Sequence, residues 1–191
     1  MIPATEVLRK EHQIILKMLD AADEVADQLN QCEHVAPETL FGIIELFQVF
    51  ADRCHHAKEE EFLFPLLIGK GLPRAAETIA DMKGEHVIGR SLIRQMLEAA
   101  ADYQAGLGHA GFTWGQLARD YIGMERAHIA KENNLLLVTA EGMLSEAEQY
   151  HLAADFERSD RETMSSGTQE RLQQKLEQLV AGIEQVSATA L

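Results

Sequence analysis

The sequence HHAKEEEFLF, residues 55–64, is repeated further along the chain as HIAKENNLLL, residues 128–137, and this repeat is the main evidence for the fold. The two copies align without a gap and share His, Ala, Lys, Glu and one Leu at matching positions. Residues four apart lie on one face of a helix, so each copy presents an imidazole and a carboxylate together. The repeat predicts two equivalent helices. In these helices the pairs are His55 with Glu59 and His128 with Glu132.

The alignment also separates these pairs from their neighbours. In the second copy Ile129 stands at the place of His56, and Glu60 faces an asparagine. We therefore expect His55 and Glu59, rather than His56 and Glu60, to carry the chemistry of the first copy.

A lone histidine precedes each copy at almost the same interval. Glu11-His12 stands before the first copy and Glu85-His86 stands before the second. In an antiparallel bundle each lone histidine would lie level with the histidine of the helix that follows it. Four imidazoles and two carboxylates would then meet inside an apolar core.

Four long stretches of the chain repeat apolar residues at alternating spacings of three and four, the pattern of helices packed side by side. Each carries one of the four histidines in its seam, and they begin at Leu8, Phe41, Ile79 and Leu117. Short breaks separate them, at residues 31–37, 69–73 and 105–112. Connections this short favour antiparallel neighbours. The predicted fold is all-α, an up-down-up-down four-helix bundle.

Local signals predict where some of these helices begin or end. Pro65 is expected to kink or end the second helix. Thr113 and Gln116 form a capping box for the fourth helix, and Ser145 and Glu148 form one for a further helix.

These elements divide the chain into a bundle over residues 1–160 and a C-terminal segment over residues 161–191. Apolar residues at spacings of four and three predict one amphipathic helix in the second segment. We expect it to pack on the bundle or to mediate self-association as a homodimer. Its apolar residues are Leu172, Leu176, Leu179, Ile183 and Val186.

The charge of the chain limits the classes of partner that it can bind. Among 191 residues, 17 Lys and Arg against 31 Asp and Glu leave a net charge of -14, which argues against nucleic acid and anionic membranes. The sequence has no apolar run of membrane-spanning length and no apolar leader at its start. Cys32 and Cys54 are too few for a disulfide framework. We expect a cytoplasmic protein whose partner is a small molecule.

Polar groups buried without partners cost about 1–3 kcal/mol each, and an isolated carboxylate costs far more. A pair of metal ions offsets that cost, with each carboxylate reaching both ions. Imidazoles and carboxylates without a thiolate suit iron better than a structural zinc site. A single seam histidine is more often a satisfied core residue, but one on each of four helices indicates a metal site. The predicted ligands are His12, His55, Glu59, His86, His128 and Glu132.

This order of motifs, a lone histidine and then His-x-x-x-Glu, twice over, resembles the hemerythrin-like (HHE cation-binding) family. The resemblance extends over residues 4–157. The runs HHAKEEEFLFP and EHVIGR are similar to the signatures of that family's second and third helices. The resemblance implies a non-haem di-iron centre, with two Fe ions joined by oxo, hydroxo or carboxylate bridges.

Two positions depart from the oxygen-carrying members of that family. Their third helix has a second histidine where this chain has Arg90, and their last helix has Asp five residues after its histidine, where Glu132 follows at four. One imidazole is missing, so a coordination position is either open or filled by Tyr121, Glu125, His56 or Glu60. We expect Arg90 either to hydrogen-bond a bridging carboxylate or an anion at the metals, or to point outward to an acidic neighbour.

Ferritin-like di-iron bundles are the nearest alternative architecture. Glu125 with His128 matches their Glu-x-x-His pair. The second helix offers only Asp52 with His55, and the first and third helices carry histidine where ferritins carry glutamate. This alternative is therefore the weaker one.

The missing imidazole favours reactive chemistry over plain oxygen storage. The leading hypothesis is a protein that binds or reacts with O2, peroxide or nitric oxide, in sensing or in oxidative and nitrosative stress defence. The alternatives are iron handling or iron-sulfur cluster repair, simple O2 storage, and a regulatory module whose last helix changes partner with the metal state.

Overall fold

The computed structural model describes residues 2–71, 75–163, 171–172 and 174–181. This part of the chain is helical almost throughout and contains no strand, so the all-α prediction is confirmed. The α-helices are α1 (Ala4–Asn30), α2 (Pro37–Leu46), α3 (Phe64–Gly69), α4 (Ala75–Gln104), α5 (Ala110–Lys131), α6 (Leu137–Met143) and α7 (Glu146–Thr163). Three π-helical segments lie between them, namely π1 (Phe47–His56), π2 (Glu59–Leu63) and π3 (Glu132–Leu136).

Two of the four bundle helices are composites. The second bundle helix runs without a break through α2, π1, π2 and α3, and the fourth runs through α5, π3 and α6. Helices α1 and α4 each contact both composites, and they lie on opposite sides of the bundle. Together with the short connections, these contacts give the predicted four-helix bundle. Helix α7 packs across α1 and the second bundle helix.

The π-helical segments lie at the two His-x-x-x-Glu motifs. π1 ends at His56, π2 begins at Glu59 and π3 begins at Glu132. A π-turn adds one residue to a helical turn and is frequent at functional sites. The regular spacing in the sequence did not predict it. The helices are thus widened locally where the repeated side chains point inward.

One helix start differs from the prediction. The second bundle helix continues past Pro65 and ends at Gly69, where the predicted break at residues 69–73 begins, so Pro65 does not end it. The fourth begins at Ala110, so the predicted Thr113–Gln116 cap is wrong. Thr113 lies inside the helix, and its hydroxyl donates to the His109 carbonyl oxygen at 3.2 Å.

The capping box before α7 is confirmed. The Ser145 backbone N–H donates to Glu148 Oε2 at 2.9 Å, and the Glu148 N–H donates to Ser145 Oγ at 3.4 Å. Hydrogen bonds from Lys70 and from Ser145 lower the pKa of the Glu148 carboxyl to about 2. These bonds tie the start of α7 to the loop after α3.

The apolar core forms two clusters, one toward each end of the bundle. The larger includes Phe47, Met96 and Trp114, and the smaller includes Phe64 and Leu137. On the first three bundle helices the predicted site residues lie between the positions that join the larger cluster and those that join the smaller one. On the fourth, His128 and Glu132 flank Ile129 of the larger cluster and precede Leu136 of the smaller one. The site is therefore a polar layer between two apolar blocks, which keep water away from it.

The C-terminal segment is helical where it is described, at residues 171–172 and 174–181. Leu172 and Leu176 are buried in the larger cluster, while Arg171 and Lys175 pair with Glu45 of α2. The predicted contacts of Ile183 and Val186 lie outside the described residues. No helix of the described part is long and apolar enough to cross a membrane.

Candidate metal centre

Four histidines, one from each bundle helix, direct their Nε2 atoms into the polar layer. His12 Nε2 lies 3.0 Å from His55 Nε2, and His86 Nε2 lies 3.0 Å from His128 Nε2. Each of the four is at most 1% exposed. Two nitrogens bound at right angles to one ion, at about 2.1 Å each, would stand about 3.0 Å apart. Each pair thus has the spacing of two ligands of one ion.

Two carboxylates connect the pairs. Glu132 Oε2 lies 3.1 Å from His12 Nε2, and Glu132 Oε1 lies 3.2 Å from His128 Nε2. Glu59 is placed in the same way, with Oε1 3.6 Å from His55 Nε2 and Oε2 3.6 Å from His86 Nε2. Each carboxylate offers one oxygen to each histidine pair, which is the arrangement that a bridging ligand requires.

The donor set fits metal ions. The ligand atoms fall into two groups, each with all its atoms within 4.8 Å of one another, and both groups contain Glu59 and Glu132. All four oxygens of these two glutamates are buried and lack a hydrogen-bond donor among the described residues. Leaving such groups unpaired is costly, and metal ions would satisfy them. The groups are His12, His55, Glu59 and Glu132, and Glu59, His86, His128 and Glu132.

The Nδ1 atom of each of these four imidazoles is hydrogen-bonded to a side-chain oxygen. An acceptor there favours the tautomer that carries its proton on Nδ1 and leaves Nε2 free to bind a metal. The distances are 2.7 to 2.9 Å. The pairs are His12 with Asn133 Oδ1, His55 with Glu11 Oε2, His86 with Glu60 Oε1, and His128 with Glu85 Oε2.

The sequence analysis predicted none of these four acceptors, although two of them share a signal in the repeat. Glu60 and Asn133 occupy the same position of the repeat, and each holds the lone histidine of the other half of the bundle. The alignment set Glu60 aside because its counterpart is not acidic. The shared property is the capacity to accept a hydrogen bond directly after the glutamate of His-x-x-x-Glu, and that signal could have found both.

The pKa values of the two carboxyls shift in opposite directions, although burial raises both. Burial raises the pKa of Glu59 well above its usual range, and the nearby charge of Glu132 adds to this. Burial also opposes ionisation of Glu132, but the adjacent imidazoles of His12 and His128 outweigh it and the pKa falls well below the usual range. Burial lowers the pKa of His86 to about 4 and, together with neighbouring imidazoles, keeps the ring neutral.

Arg90 does not contact either shared carboxylate. Its Nε donates to Asp52 Oδ1 at 2.7 Å and its Nη2 donates to Glu60 Oε1 at 2.8 Å. The structure thus matches the alternative in which Arg90 faces acidic neighbours. Because Glu60 holds His86, the guanidinium is still connected to the centre through one carboxylate.

Three of the residues proposed as reserve ligands are buried on the side of His86. The His56 ring stacks on the His86 ring with centroids 3.9 Å apart, and His56 Nε2 lies 3.4 Å from Glu125 Oε1. Tyr121 is also buried, and its hydroxyl has no hydrogen-bond partner among the described residues. The polar layer therefore extends beyond the six predicted ligands on this side.

A buried ion-pair network closes the opposite side. The Lys58 ammonium is fully buried and donates to Glu11 Oε1 at 2.5 Å, with Asp160 Oδ1 of α7 at 2.8 Å. The Cys54 thiol lies 3.1 Å from both the Lys58 ammonium and Asp160 Oδ1, and burial raises its pKa. Cys54 is packed against this network, as expected for a structural thiol.

The fold and this layer define the chain as a helical-bundle protein with a buried cluster of histidines and carboxylates that fits metal ions. The model of the Hemerythrin HHE cation binding domain matches residues 4–140. This covers well over half of the chain, which therefore belongs to the hemerythrin HHE cation-binding family. Neither curated proteins nor solved structures gave a match. The family match replaces the ferritin-like alternative.

Proposed function

We propose that the chain is a non-haem di-iron protein that binds or reacts with O2, peroxide or nitric oxide, in sensing or in oxidative and nitrosative stress defence. The observation that carries the proposal is the pair of buried two-imidazole groups that share two carboxylates. The proposed ligands are the six predicted ones, His12, His55, Glu59, His86, His128 and Glu132.

The donor chemistry supports iron over other metals. Four imidazoles and two carboxylates without a thiolate form a nitrogen and oxygen set that suits iron and is unlike the closed cysteine sites of structural zinc. Two bound iron ions would supply one electron each to a small oxidant or would bind it reversibly. The oxo or hydroxo bridge implied by the family is part of this proposal.

The protein's own residues prepare the layer for such chemistry. The Nδ1 acceptors fix each imidazole with Nε2 inward, so the ligands need little reorganisation. The apolar clusters above and below exclude bulk water and leave room only for small molecules. Arg90, which pairs with Asp52 and Glu60, fixes the acceptor behind His86.

The location and the C-terminal segment are part of the same proposal. The free thiols of Cys32 and Cys54 fit a reducing compartment such as the cytoplasm. Burial of Leu172 and Leu176 supports a C-terminal helix that packs on the bundle rather than one that only joins two copies.

The test is anaerobic reconstitution with ferrous iron, followed by separate exposure to O2, peroxide and nitric oxide. We expect two iron atoms per chain, near-ultraviolet oxo-to-iron bands after oxidation, and no long-lived O2 adduct. A stable adduct that forms and releases O2 over repeated cycles would show that the protein is a carrier. Failure to bind two ferrous ions per chain would refute the proposal.

A further inference from the structure

His56 lies beside the second histidine pair, and nothing equivalent stands beside the first. Its counterpart in the repeat is Ile129, a buried apolar side chain. We propose that His56 is a third imidazole ligand of the metal ion held by His86 and His128. This inference rests on the proposed di-iron function.

The first support is the position of the ring. One nitrogen of each of His56, His86 and His128 can be chosen so that all three lie within 4.8 Å of one another. His56 is 3% exposed, and its ring lies nearly parallel to that of His86, with an interplanar angle of 15°. The imidazole already lies inside the polar layer, next to both members of the pair.

The second support is the lack of a hydrogen bond to either ring nitrogen. Neither ring nitrogen of His56 makes a hydrogen bond among the described residues. Glu125 Oε1 is 3.4 Å from His56 Nε2 and is likewise without a hydrogen bond. Fully buried polar atoms are seldom left in this state, and each costs about 1–3 kcal/mol. A metal ion between His86 and His128 would give the His56 Nε2 atom a partner.

The third support is the group behind the ring. His56 Nδ1 faces Asp52 Oδ1 at 3.7 Å, and Asp52 is held in turn by Arg90 Nε at 2.7 Å. A carboxylate thus stands on the Nδ1 side of this ring as it does behind His55, His86 and His128, but beyond hydrogen-bond distance. Because the same guanidinium also holds Glu60, which is bonded to His86, Arg90 holds the carboxylates behind two rings. Arg90 is a positioning residue in this scheme.

The two metal positions are then unequal. The first has two imidazoles, from His12 and His55, and the second has three, from His56, His86 and His128. The second bundle helix therefore supplies the imidazole that the third helix lacks at Arg90. The alternative is that His56 only pairs with Glu125 as a structural contact.

The experiment is an anaerobic Co(II) titration of the apo protein in competition with a chelator. The variants are His56→Ala and a matched control, Ile129→Ala, which shortens the equivalent buried side chain. We expect two ions in the wild type and in Ile129→Ala. In His56→Ala one ion should bind with an affinity lowered by more than the roughly 100-fold that loss of a ligand's hydrogen-bond partner can cost. The other ion should bind as before.

Free imidazole distinguishes a metal ligand from a residue with a structural role, because only a lost ligand can be replaced by added imidazole. Added to His56→Ala, it should enter the vacated space and restore the second ion and the wild-type visible cobalt spectrum. Restoration supports ligation, whereas weak binding that imidazole leaves unchanged overturns it. Two ions bound with wild-type affinities by His56→Ala overturn the inference and leave the di-iron function intact. Fewer than two ions in the wild type overturn the proposed function itself.

X-ray absorption of the iron-loaded wild type keeps the inference testable if His56→Ala does not fold. The imidazole scattering should correspond to five imidazoles per chain, and four would overturn the assignment. Circular dichroism of each apo variant establishes whether it is folded.

Discussion

The two halves of the bundle contain the same three-residue unit but cover it differently. In each half a glutamate directly precedes the lone histidine. This glutamate accepts a hydrogen bond from the histidine of the next bundle helix. It also pairs with the lysine that stands three residues after that histidine. The units are Glu11, His55 and Lys58 in the first half, and Glu85, His128 and Lys131 in the second.

The lysines show the difference. The Lys58 side chain is fully buried and is enclosed by Asp160 of α7 and by Cys54. The Lys131 side chain is 50% exposed, and a surface depression of about 520 Å³ lies beside it, lined in part by Ile88 and Leu135. The repeat thus places the predicted ligands in both halves. Helix α7, which lies outside the repeat, covers only the first half.

The largest expected effect comes from a residue that belongs to both halves of the bundle. Glu132→Ala removes a carboxylate with one oxygen in each half, so we expect the loss of both metal ions rather than one. Iron content per chain measures this, and melting of the metal-free wild type should already occur at a lower temperature than that of the loaded protein. Glu61→Ala, on the exposed face of π2, is the control. Retention of one tightly bound iron would contradict a shared carboxylate.

The next effect separates the halves directly. Lys58→Ala leaves the buried Glu11 and the partly buried Asp160 without their cation, which should destabilise the metal-free fold by about 3–5 kcal/mol. Lys131→Ala removes an exposed partner of Glu85 and should cost about 1 kcal/mol or less. Urea unfolding of the two variants gives the comparison. Equal losses would mean that α7 does not seal the first half.

A smaller effect tests how the halves are joined. Glu60→Ala removes the acceptor of His86, and Asn133→Ala removes that of His12. Each should weaken one metal position by roughly 10- to 100-fold and spare the other, because such partners orient a single ligand. Chelator competition with one and two equivalents of metal separates the positions. If either variant weakened both positions equally, the acceptors would not be specific to one half.

The smallest effect concerns the C-terminal segment, which packs on the second bundle helix. Hydrogen bonds from Lys175 and Arg171 lower the pKa of Glu45. A lowered carboxyl pKa stabilises the contact above the ordinary value of 4.5, and the stabilisation is lost as pH falls through the lowered value. Glu45→Gln should therefore exchange backbone hydrogens faster at residues 174–181 near neutral pH. The difference from wild type should shrink below pH 4.5, and a constant difference would exclude this ion pair as the cause.

The sequence predicted the elements that follow from helical periodicity. One face per helix and residues four apart were enough to bring His12 level with His55, and His86 level with His128. That these residues bind metal stays a prediction. Periodicity assigns each residue to one face of its helix, and these assignments were correct for the four histidines.

The parts that were not predicted depend on contacts between helices. The π-helical turns are settled by packing, and no spacing in the sequence signals them. The comparison of the two repeats kept His56 only as a reserve ligand, because its counterpart is the apolar Ile129, and it did not predict that the His56 ring stacks on His86. Likewise, the partners of Arg90 come from another helix and could not be chosen among several acidic residues.

The π-helical turns also fix the phase of the helix beyond the centre. Each residue advances an α-helix by about 100°. If Glu59–Leu63 wound as an ordinary α-turn without losing a residue, everything after it would rotate by about that angle. Phe64 and Leu67, both fully buried in the smaller cluster, would then turn away from it. The π-turn at the centre thus absorbs one residue and keeps the far end of the second bundle helix in register with its core.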